Sequence, residues 1–290
     1  MDRIKFSLII GTRNRCESIQ YCMSSIFSQT YTDFEVIVID QSNDDKTEAY
    51  ILKLQDPRIK YFHVDFQGLS KARNKALQYV SGEYVCLIDD DACYFPDYLE
   101  KAAQRIRSER TQIYSGYIWD TIKNAPFADY KIRKSGKRLS LHECVRLCPS
   151  AALFLPIKLL RQTGGFDEQL GVGSAYGAAE ETDLLIEGYK AGYRIFFDKD
   201  LKVKHPMPVP VQNSDDTEQK VQKMEAYYRG FGALYKKHLI TGKYWPLFFC
   251  FLEIWIKLSI KRLLSFRYNV RLTSRQMNGF LYGLRNYRPQ

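Results

Sequence analysis

Short apolar runs alternate with amphipathic stretches over the first third of the chain. Four runs are rich in β-branched and aromatic residues and are typical of buried strands, at residues 6–10, 34–40, 59–64 and 84–88. The stretches between them carry apolar residues at helical spacing, the first over residues 17–29. Because strand and helix alternate at such short spacing, the pattern predicts a parallel sheet with right-handed crossovers.

The pattern continues as far as residue 208. We expect a helix from about Pro96 to Arg107, a mobile basic loop at residues 124–140, a glycine-rich flap at residues 171–178 and a helix from Ala179. Further strands are expected at residues 113–120, 151–155, 194–197 and 201–204. The expected fold class is therefore α/β, with a Rossmann-like, mostly parallel central sheet flanked by helices.

The last quarter of the chain has a different pattern. A proline-rich polar linker at residues 209–216 precedes a helical pattern at residues 218–238. An apolar and aromatic run at residues 245–264 is interrupted at every fourth position by Glu253, Lys257 and Lys261. These charges argue against a membrane span and favour a helix lying in the membrane interface; packing on the body or on a second subunit is the alternative. Three arginines would then face anionic headgroups: Arg267, Arg271 and Arg275.

Charge and cysteine content narrow the function classes. Residues 217–290 carry 14 Lys and Arg against three Glu, so the net charge of +10 belongs to this tail and the body is close to neutral. We therefore expect no nucleic-acid partner. Seven scattered cysteines without Cys-x-x-Cys spacing indicate reduced thiols in a cytoplasmic compartment, and the first residues leave no room for a signal peptide.

Three consecutive carboxylates, Asp89, Asp90 and Asp91, end the fourth strand. Like charges this close repel, so a cation is expected beside them. If strand geometry persists, Asp89 and Asp91 lie on one side and can share Mg²⁺ or Mn²⁺. Gly11 and Asp40 also follow strands, and in such sheets ligands bind at this edge. A solvated acidic loop or a helix cap is the alternative.

Four segments together resemble the family 2 glycosyltransferases, which have a GT-A fold. The segments are residues 9–15 (IIGTRNR), 38–44 (VIDQSND), 68–74 (GLSKARN) and 87–91 (LIDDD). Each segment alone is a weak signal, whereas the four in this order and spacing are specific. The resemblance extends over about residues 5–206 and implies an inverting transfer from a nucleotide diphosphate sugar.

The resemblance also implies roles for individual residues. In the family, the first loop and the residue matching Asp40 contact the nucleotide base, and the Asp-x-Asp pair binds ribose and metal. The expected donor contacts are Thr12, Arg13, Asp40, Arg73, Asp89 and Asp90. The expected ligands of Mg²⁺ or Mn²⁺ are Asp91, Asp89 and His205. His205 is equally well explained as a strand-end histidine, and Gln41 replaces a second acid found in many members, which leaves the base open.

A second group of acids begins the helix near residue 180. Inverting transfer needs a carboxylate that takes the proton of the attacking hydroxyl. The residue that matches the family's base is Glu181, with Glu180 and Asp183 as alternatives. Acids that complement a helix N-terminus are the structural explanation, which accounts for one acid more easily than for three.

We therefore predict a metal-dependent glycosyltransferase of surface polysaccharide or glycan synthesis. It would move a sugar, expected from a UDP-sugar, to a carbohydrate or lipid-linked acceptor, on the inner face of the cell membrane. The expected domains are a catalytic domain at 1–208, with nucleotide-sugar and acceptor halves at about 1–110 and 111–208, the linker at 209–216, and a helical basic tail at 217–290. The alternatives are a sugar nucleotidyltransferase, which needs a lysine that the first loop lacks, and a non-catalytic nucleic-acid-binding protein acting through the tail.

Overall fold

The protein is described by a computed structural model over residues 3–110, 112–126, 135–205, 218–264 and 270–289. The chain forms two compact units. The first unit comprises Met1–Gln67, Lys71–Phe166 and Leu184–Met207, and the second comprises Gly68–Ser70, Asp167–Asp183 and Pro208–Gln290. The predicted linker at residues 209–216, the middle of the predicted basic loop and Arg267 lie outside the described residues.

The first unit is built on one mixed sheet. Its strands are β1 (Phe6–Thr12), β2 (Phe34–Asp40), β3 (Ile59–His63), β4 (Tyr84–Leu87), β5 (Cys93–Tyr94), β6 (Ile113–Asp120), β7 (Ala125–Pro126), β8 (Lys137–Arg138), β9 (Leu153–Pro156) and β10 (Ile195–His205). The strand order is β3-β2-β1-β4-β9-β6-β10-β5, with β7 beside β6 and β8 beside β10. The first four strands are mutually parallel, as predicted, whereas β9 runs antiparallel to both β4 and β6.

Helices follow the strands in the predicted alternation. They are α1 (Cys16–Phe27), α2 (Lys46–Leu54), α3 (Leu69–Leu77), α4 (Tyr98–Ser108), α5 (Leu141–Leu147), α6 (Ile157–Thr163) and α7 (Glu180–Lys190). Helix α1 buries Ile19, Cys22, Met23 and Ile26, the i, i+3, i+4, i+7 face that the sequence pattern requires. The α/β class with a helix-flanked central sheet is confirmed.

Two local expectations of the sequence were wrong. The predicted strands at residues 194–197 and 201–204 are one strand, β10, because a register shift between Phe197 and Lys202 absorbs the polar residues between them. Helix α5 was not predicted, although a Ser140-x-x-Glu143 capping box marks its start: the Ser140 hydroxyl accepts from the Glu143 backbone and the Glu143 carboxylate accepts from the Ser140 backbone.

The core positions the polar strand ends. All seven residues of β2 are buried, and six of the seven in β1 are buried, as expected for parallel strands covered on both faces. The last residue of each strand is polar: Thr12 is 2% exposed and Asp40 is fully buried. These buried polar residues need partners, and the loops beyond the strands supply them.

The second unit contains the C-terminal helices. They are α8 (Glu218–Tyr235), a π-helical turn (Lys236–Thr241), a short 3₁₀ turn (Trp245–Leu247), α9 (Phe248–Leu263) and α10 (Val270–Asn286). Helices α8 and α10 touch backbone to backbone, since a Cβ added to Gly283 would lie 2.1 Å from the Arg229 carbonyl oxygen. Helix α9 packs its aromatic residues on α10, where Trp255 and Phe251 lie 6.3 and 6.1 Å from the Phe280 ring.

The arginines of α10 form ion pairs that the sequence did not predict. Arg271 pairs with Glu218, and Arg275 lies 2.9 Å from Glu225, so both guanidinium groups join α10 to α8. Both arginines therefore form intramolecular pairs with glutamates that lie 53 and 50 residues away in the sequence. No helix among the described residues is both long enough and apolar enough to cross a membrane.

Candidate active site

The carboxyl ends of the parallel strands bring the first two predicted loops together. Thr12 of β1 lies opposite Asp40 of β2, which in turn lies opposite His63 of β3. Asn14 has a left-handed backbone (φ 54°), which asparagine tolerates better than most residues. Its amide donates to the Ser42 hydroxyl at 2.7 Å, so the loop after β1 is fixed to the loop after β2.

The three aspartates occupy a turn, not a strand. Strand β4 ends at Leu87, and the amide of Ala92 donates to the Asp89 carbonyl at 2.9 Å to close the turn. The expectation that strand geometry persists is therefore wrong. The turn nevertheless separates the side chains as strand alternation would, because Asp89 and Asp91 approach His205 while Asp90 faces Thr12.

Asp90 is the buried member of the turn. Its carboxylate accepts from the Thr12 hydroxyl at 2.8 Å and from the Arg15 guanidinium at 2.6 Å. Burial raises the pKa of Asp90 to about 6, against the opposing effect of Arg15 and Thr12. Asp90 therefore anchors the turn to the end of β1, and its position inside the protein does not suit a direct donor contact.

Asp89 and Asp91 converge on one imidazole. The His205 Nε2 atom lies 3.0 Å from Asp91 and 3.6 Å from Asp89. Burial alone lowers the pKa of His205, but the hydrogen bonds to the two carboxylates outweigh it and raise the pKa to about 10. Burial likewise raises the pKa of Asp91, and the bonds from His205 and Arg15 bring it well below its usual range. A protonated His205 thus shares its charge between the two acids.

Two arginines surround this turn, and the sequence identified one of them. Arg73 is 2% exposed, lies 3.6 Å from Asp89 and places its guanidinium 5.5 Å from the centre of the Phe166 ring. Arg15, which is half-exposed, bridges Asp90 and Asp91 at 2.6 Å each, although the sequence nominated Arg13 of the same loop. Arg13 and Arg15 belong to one loop, and spacing alone does not show which of them pairs with the aspartates.

The donor chemistry of this cluster suits a hard divalent cation. Two carboxylates and an imidazole are acceptable ligands for Mn²⁺, and neighbouring ligand atoms of an octahedral ion lie about 3 Å apart, given metal–oxygen distances of about 2.1 Å. The observed spacings of 3.0 and 3.6 Å to the same nitrogen are of this order. In the part of the chain that is described, no three His, Cys, Asp or Glu side chains are arranged to hold a metal as they stand.

Asp40 organises the loop after β2. Its carboxylate accepts from the Ser42 amide and from the Tyr61 hydroxyl, both at 2.9 Å. Burial and the adjacent carboxylate raise the pKa of Tyr61 strongly, so this hydroxyl stays protonated and donates. Beside this loop lies an open cavity of about 470 Å³ lined by Gln41, Ser42, Asp44, Glu48, His63 and Asp65. Asp40 is fully buried and bonds to Ser42, one of the lining residues.

The second group of acids begins helix α7 in the second unit. Glu180 and Asp183 are 5% and 4% exposed, whereas Glu181 is half-buried and is the most accessible of the three. Asp183 is bonded to Lys237 and His238. The residue before the helix, Ala179, has a left-handed backbone (φ 76°) that an alanine adopts only under constraint from its surroundings. The first turn is therefore held in one arrangement.

Comparison with known proteins identifies the family to which this chain belongs. The protein is a glycosyltransferase by family: residues 7–155 match Glycosyl transferase family 2, and the chain belongs to that family. The family predicted from the four sequence segments is confirmed.

Curated relatives extend over different parts of the chain. An uncharacterized glycosyltransferase of Rickettsia bellii is 29% identical over 211 residues, which are 68% of this chain and 29% of that protein. WfgD of Escherichia coli, a UDP-Glc:alpha-D-GlcNAc-diphosphoundecaprenol beta-1,3-glucosyltransferase, is 30% identical over 119 residues, or 40% of this chain and 47% of WfgD. The chain thus spans less than half the length of these two relatives.

Solved structures share the fold at low identity. TarS of S. aureus in complex with UDP-GlcNAc has a TM-score of 0.61 and 19% identity, over 82% of this chain and 73% of that one. The mannosyltransferase PcManGT from Pyrobaculum calidifontis, in complex with GDP-Man and Mn²⁺, has a TM-score of 0.70 and 16% identity, over 99% and 89% of the two chains. The predicted GT-A fold is confirmed.

Proposed function

We propose that this protein transfers a sugar, with inversion, from a nucleotide diphosphate sugar to a carbohydrate or lipid-linked acceptor in surface polysaccharide or glycan synthesis. The observation that carries the proposal is the convergence of Asp89, Asp91 and His205 at the carboxyl edge of the sheet, with the buried Arg73 beside them. This edge is where parallel α/β sheets bind ligands. Neither alternative class, nucleotidyltransferase or nucleic-acid-binding protein, explains this grouping together with the family membership.

The first unit would hold the donor. Asp91, Asp89 and His205 would hold Mg²⁺ or Mn²⁺, which supplies charge stabilisation for a diphosphate leaving group. Arg73 is positioned by Phe166 to place a fixed positive charge beside these residues, and Arg15 fixes Asp90 and Asp91. Because both guanidinium groups are held before the donor binds, they need little reorganisation during the reaction. Thr12 and Arg13 remain proposed donor contacts.

The nucleotide base would occupy the cavity beside Asp40. Gln41 and Ser42 supply amide and hydroxyl groups that can pair with the polar edge of a base. We propose UDP as the nucleotide, and the names of WfgD and of the TarS complex support this choice. The GDP-Man complex of PcManGT makes a guanine nucleotide the alternative that an experiment must include.

The first turn of α7 would supply the base for the acceptor. Glu181 is the proposed residue, since it is the acid of the α7 turn with the greatest access to solvent. Its carboxylate would take the acceptor hydroxyl proton as the oxygen attacks the anomeric carbon. Glu180, which is buried, and Asp183, which is bonded to Lys237 and His238, are less suited to meet an acceptor.

The acceptor end of the reaction would lie at a membrane surface. Helix α9 exposes Phe249, Ile256, Ile260 and Leu263 on the face away from its contact with Phe280. Lys257 and Arg262 on the same helix are exposed, and Lys257 pairs with Glu253. An exposed apolar face on a helix that also carries exposed cationic side chains suits an anionic membrane interface. Sedimentation with vesicles tests this part of the proposal.

The decisive experiment is a nucleotide-sugar panel. Wild-type protein with Mn²⁺ should slowly hydrolyse one UDP-sugar, or one GDP-sugar, in the absence of acceptor, and chelation should stop the reaction. Asp91→Asn should lower turnover by at least about 100-fold, because the amide keeps the side chain's shape but removes its charge. Asp97→Asn, at a half-exposed acid that pairs with Lys101, is the matched control and should retain activity. Full metal-dependent turnover by Asp91→Asn would refute the assignment.

A further inference from the structure

One lysine joins the two ends of the segment that carries the acids of α7. The Lys237 ammonium lies 2.8 Å from the Asp167 carboxylate and 2.9 Å from that of Asp183. Asp167 and Asp183 are the first and last residues of the stretch that belongs to the second unit. Residues 167–183 are therefore closed into a loop by a single side chain from the C-terminal part of the chain.

Two further C-terminal groups complete this cluster. His238 places Nε2 2.7 Å from the second oxygen of Asp183, and the Tyr287 hydroxyl donates to Asp167. His238 and Tyr287 are each 1% exposed. Burial raises the pKa of Asp167, but the bonds from Lys237 and Tyr287 bring it below its usual value. Asp167 thus stays ionised inside the protein, and three C-terminal side chains surround the two carboxylates.

The cluster depends on an irregular helix. Lys237 and His238 are consecutive, and both reach Asp183 from the π-helical turn Lys236–Thr241. Widened turns of this kind occur mostly as single interruptions of helices and are frequent at functional sites. A function for the charge cluster explains why this turn is present after α8.

The enclosed segment is tightly packed around the acids. Gly171 has a left-handed backbone (φ 97°), and a Cβ there would lie 2.8 Å from the Ser70 hydroxyl and 3.1 Å from the Glu180 carboxyl carbon. The Asp183 amide donates to the Ala179 carbonyl at 2.8 Å, closing the strained first turn of α7. Glu181 thus lies two residues from Asp183, on a turn that the hydrogen bond to Ala179 closes.

We propose that Lys237, His238 and Tyr287 are positioning residues for the catalytic base, which makes the C-terminal helices a part of the machinery for transfer to the acceptor. The inference rests on the proposed function of Glu181. Proton transfer and attack need the base within hydrogen-bonding reach of the acceptor, and a displacement of about 1 Å costs on the order of 100-fold in rate. Removing Lys237 releases both ends of the segment at once, so the rate of transfer should fall while donor affinity does not.

The test compares Lys237→Met with Lys236→Met, a substitution of the neighbouring lysine in the same helical turn. A third variant, Glu181→Gln, shows how far kcat falls when the base itself is removed. Steady-state transfer is measured with the donor that the nucleotide-sugar panel identifies, and binding of UDP and GDP with Mn²⁺ is measured by calorimetry. Lys237→Met should lower kcat at least about tenfold with the donor KM within about threefold of wild type, and Lys237→Arg should recover part of the loss. Lys236→Met should match the wild type.

Tyr287→Phe provides a second test in case Lys237→Met does not fold. This substitution removes one hydrogen bond to Asp167 and leaves no charge unpaired. It should lower kcat about threefold without changing donor KM. A wild-type kcat in Lys237→Met overturns the inference, and so does a wild-type kcat in Tyr287→Phe if Lys237→Met is unfolded. A wild-type protein that binds no nucleoside diphosphate and turns over no nucleotide sugar instead overturns the proposed function.

Discussion

Buried carboxylates in this protein have different pKa values because their partners differ in number. Burial raises the pKa of Asp90 to about 6, since one hydroxyl and one guanidinium only partly offset it. Burial also opposes ionisation of Glu35, which is 4% exposed, but Ser7, Lys60 and Ser81 donate to it and lower its pKa to about 2. The carboxylate group is thus suited to a proton-sensitive position in Asp90 and to a permanent charge in Glu35.

The permanent charge of Glu35 predicts a pH-dependent stability. Its pKa in the folded protein lies below the ordinary value of 4.5, so the stabilisation is fully present above pH 4.5 and is lost as the pH falls towards 2. The difference corresponds to about 3 kcal/mol in the free energy of unfolding. Glu35→Gln should therefore be less stable than wild type at pH 7, and the gap should narrow progressively below pH 4.5. Urea unfolding at pH 7, 5, 4 and 3 measures it.

Glu17→Gln is the matched control for this measurement. Glu17 is exposed in the first turn of α1, and its removal should change stability by a few tenths of a kcal/mol at most. A gap between Glu35→Gln and wild type that stays constant from pH 7 to pH 3 would contradict the view that Ser7, Lys60 and Ser81 stabilise the ionised carboxylate.

At the scale of elements, helices α8 and α10 are joined through glycines. A Cβ on Gly232 would lie 2.1 Å from the Phe280 carbonyl oxygen, and one on Gly279 would lie 2.3 Å from that of Glu225. Both oxygens belong to the backbone, which does not move aside as a flexible side chain does. These glycines therefore allow the backbones of α8 and α10 to approach closely. Each glycine costs about 1 kcal/mol in helix propensity relative to alanine.

Gly283→Ala tests this contact because propensity and packing predict opposite results. Propensity alone would stabilise the protein by about 1 kcal/mol. The added methyl group would, however, lie 2.1 Å from the Arg229 carbonyl oxygen, so we expect a net loss of about 1–3 kcal/mol in the free energy of unfolding. Asn278→Ala, at an exposed position of the same helix, should gain a few tenths of a kcal/mol. If thermal unfolding shows both variants stabilised, α8 and α10 are not in backbone contact.

The elements that the sequence predicted correctly are those with a local signal. The buried runs of β1 and β2 and the face of α1 are legible because burial repeats at a fixed period. The turn at Asp89 to Asp91 was missed, since an apolar run does not show where its hydrogen bonding ends. The capping box at Ser140 was a local signal for α5 that the prediction did not use.

Within the candidate site, residue types were predictable and partners were not. The strand-end acids follow from their position after apolar runs, and the family resemblance indicates Arg73. Arg15 was missed because its pairing with the aspartate turn depends on the left-handed backbone of Asn14 and on Asp90, which lies far away in the sequence. Lys237 was missed for the same reason: a lysine in an amphipathic helix gives no sign of carboxylates that lie 54 and 70 residues away.

For the whole molecule, the exposed side of α9 is the feature that internal packing does not explain. Phe249 is 75% exposed and Leu263 is 79% exposed, while Phe251 and Trp255 on the same helix pack on Phe280. One face of α9 thus packs on α10 of the same C-terminal part, and the opposite face is the one that a membrane or a second subunit would cover. Large exposed apolar residues grouped on one helix mark an interaction surface more often than a solvated one.

We expect this face to bind anionic membranes. Phe249 and Leu263 would each leave water on binding, and burial of one such side chain contributes about 1.5–3 kcal/mol. Replacing both with serine should therefore weaken partitioning onto vesicles that contain anionic lipid by at least about tenfold. Leu52→Ser, at a leucine of α2 that is 63% exposed, is the control and should leave partitioning unchanged. Co-sedimentation at low and high salt measures both contributions, because added salt weakens the attraction of Lys257 and Arg262 but not the burial of the apolar face. Equal sedimentation of the double variant and the wild type would show that α9 does not bind the membrane, and a concentration-dependent dimer lost in the same variant would assign the face to a second copy of the chain.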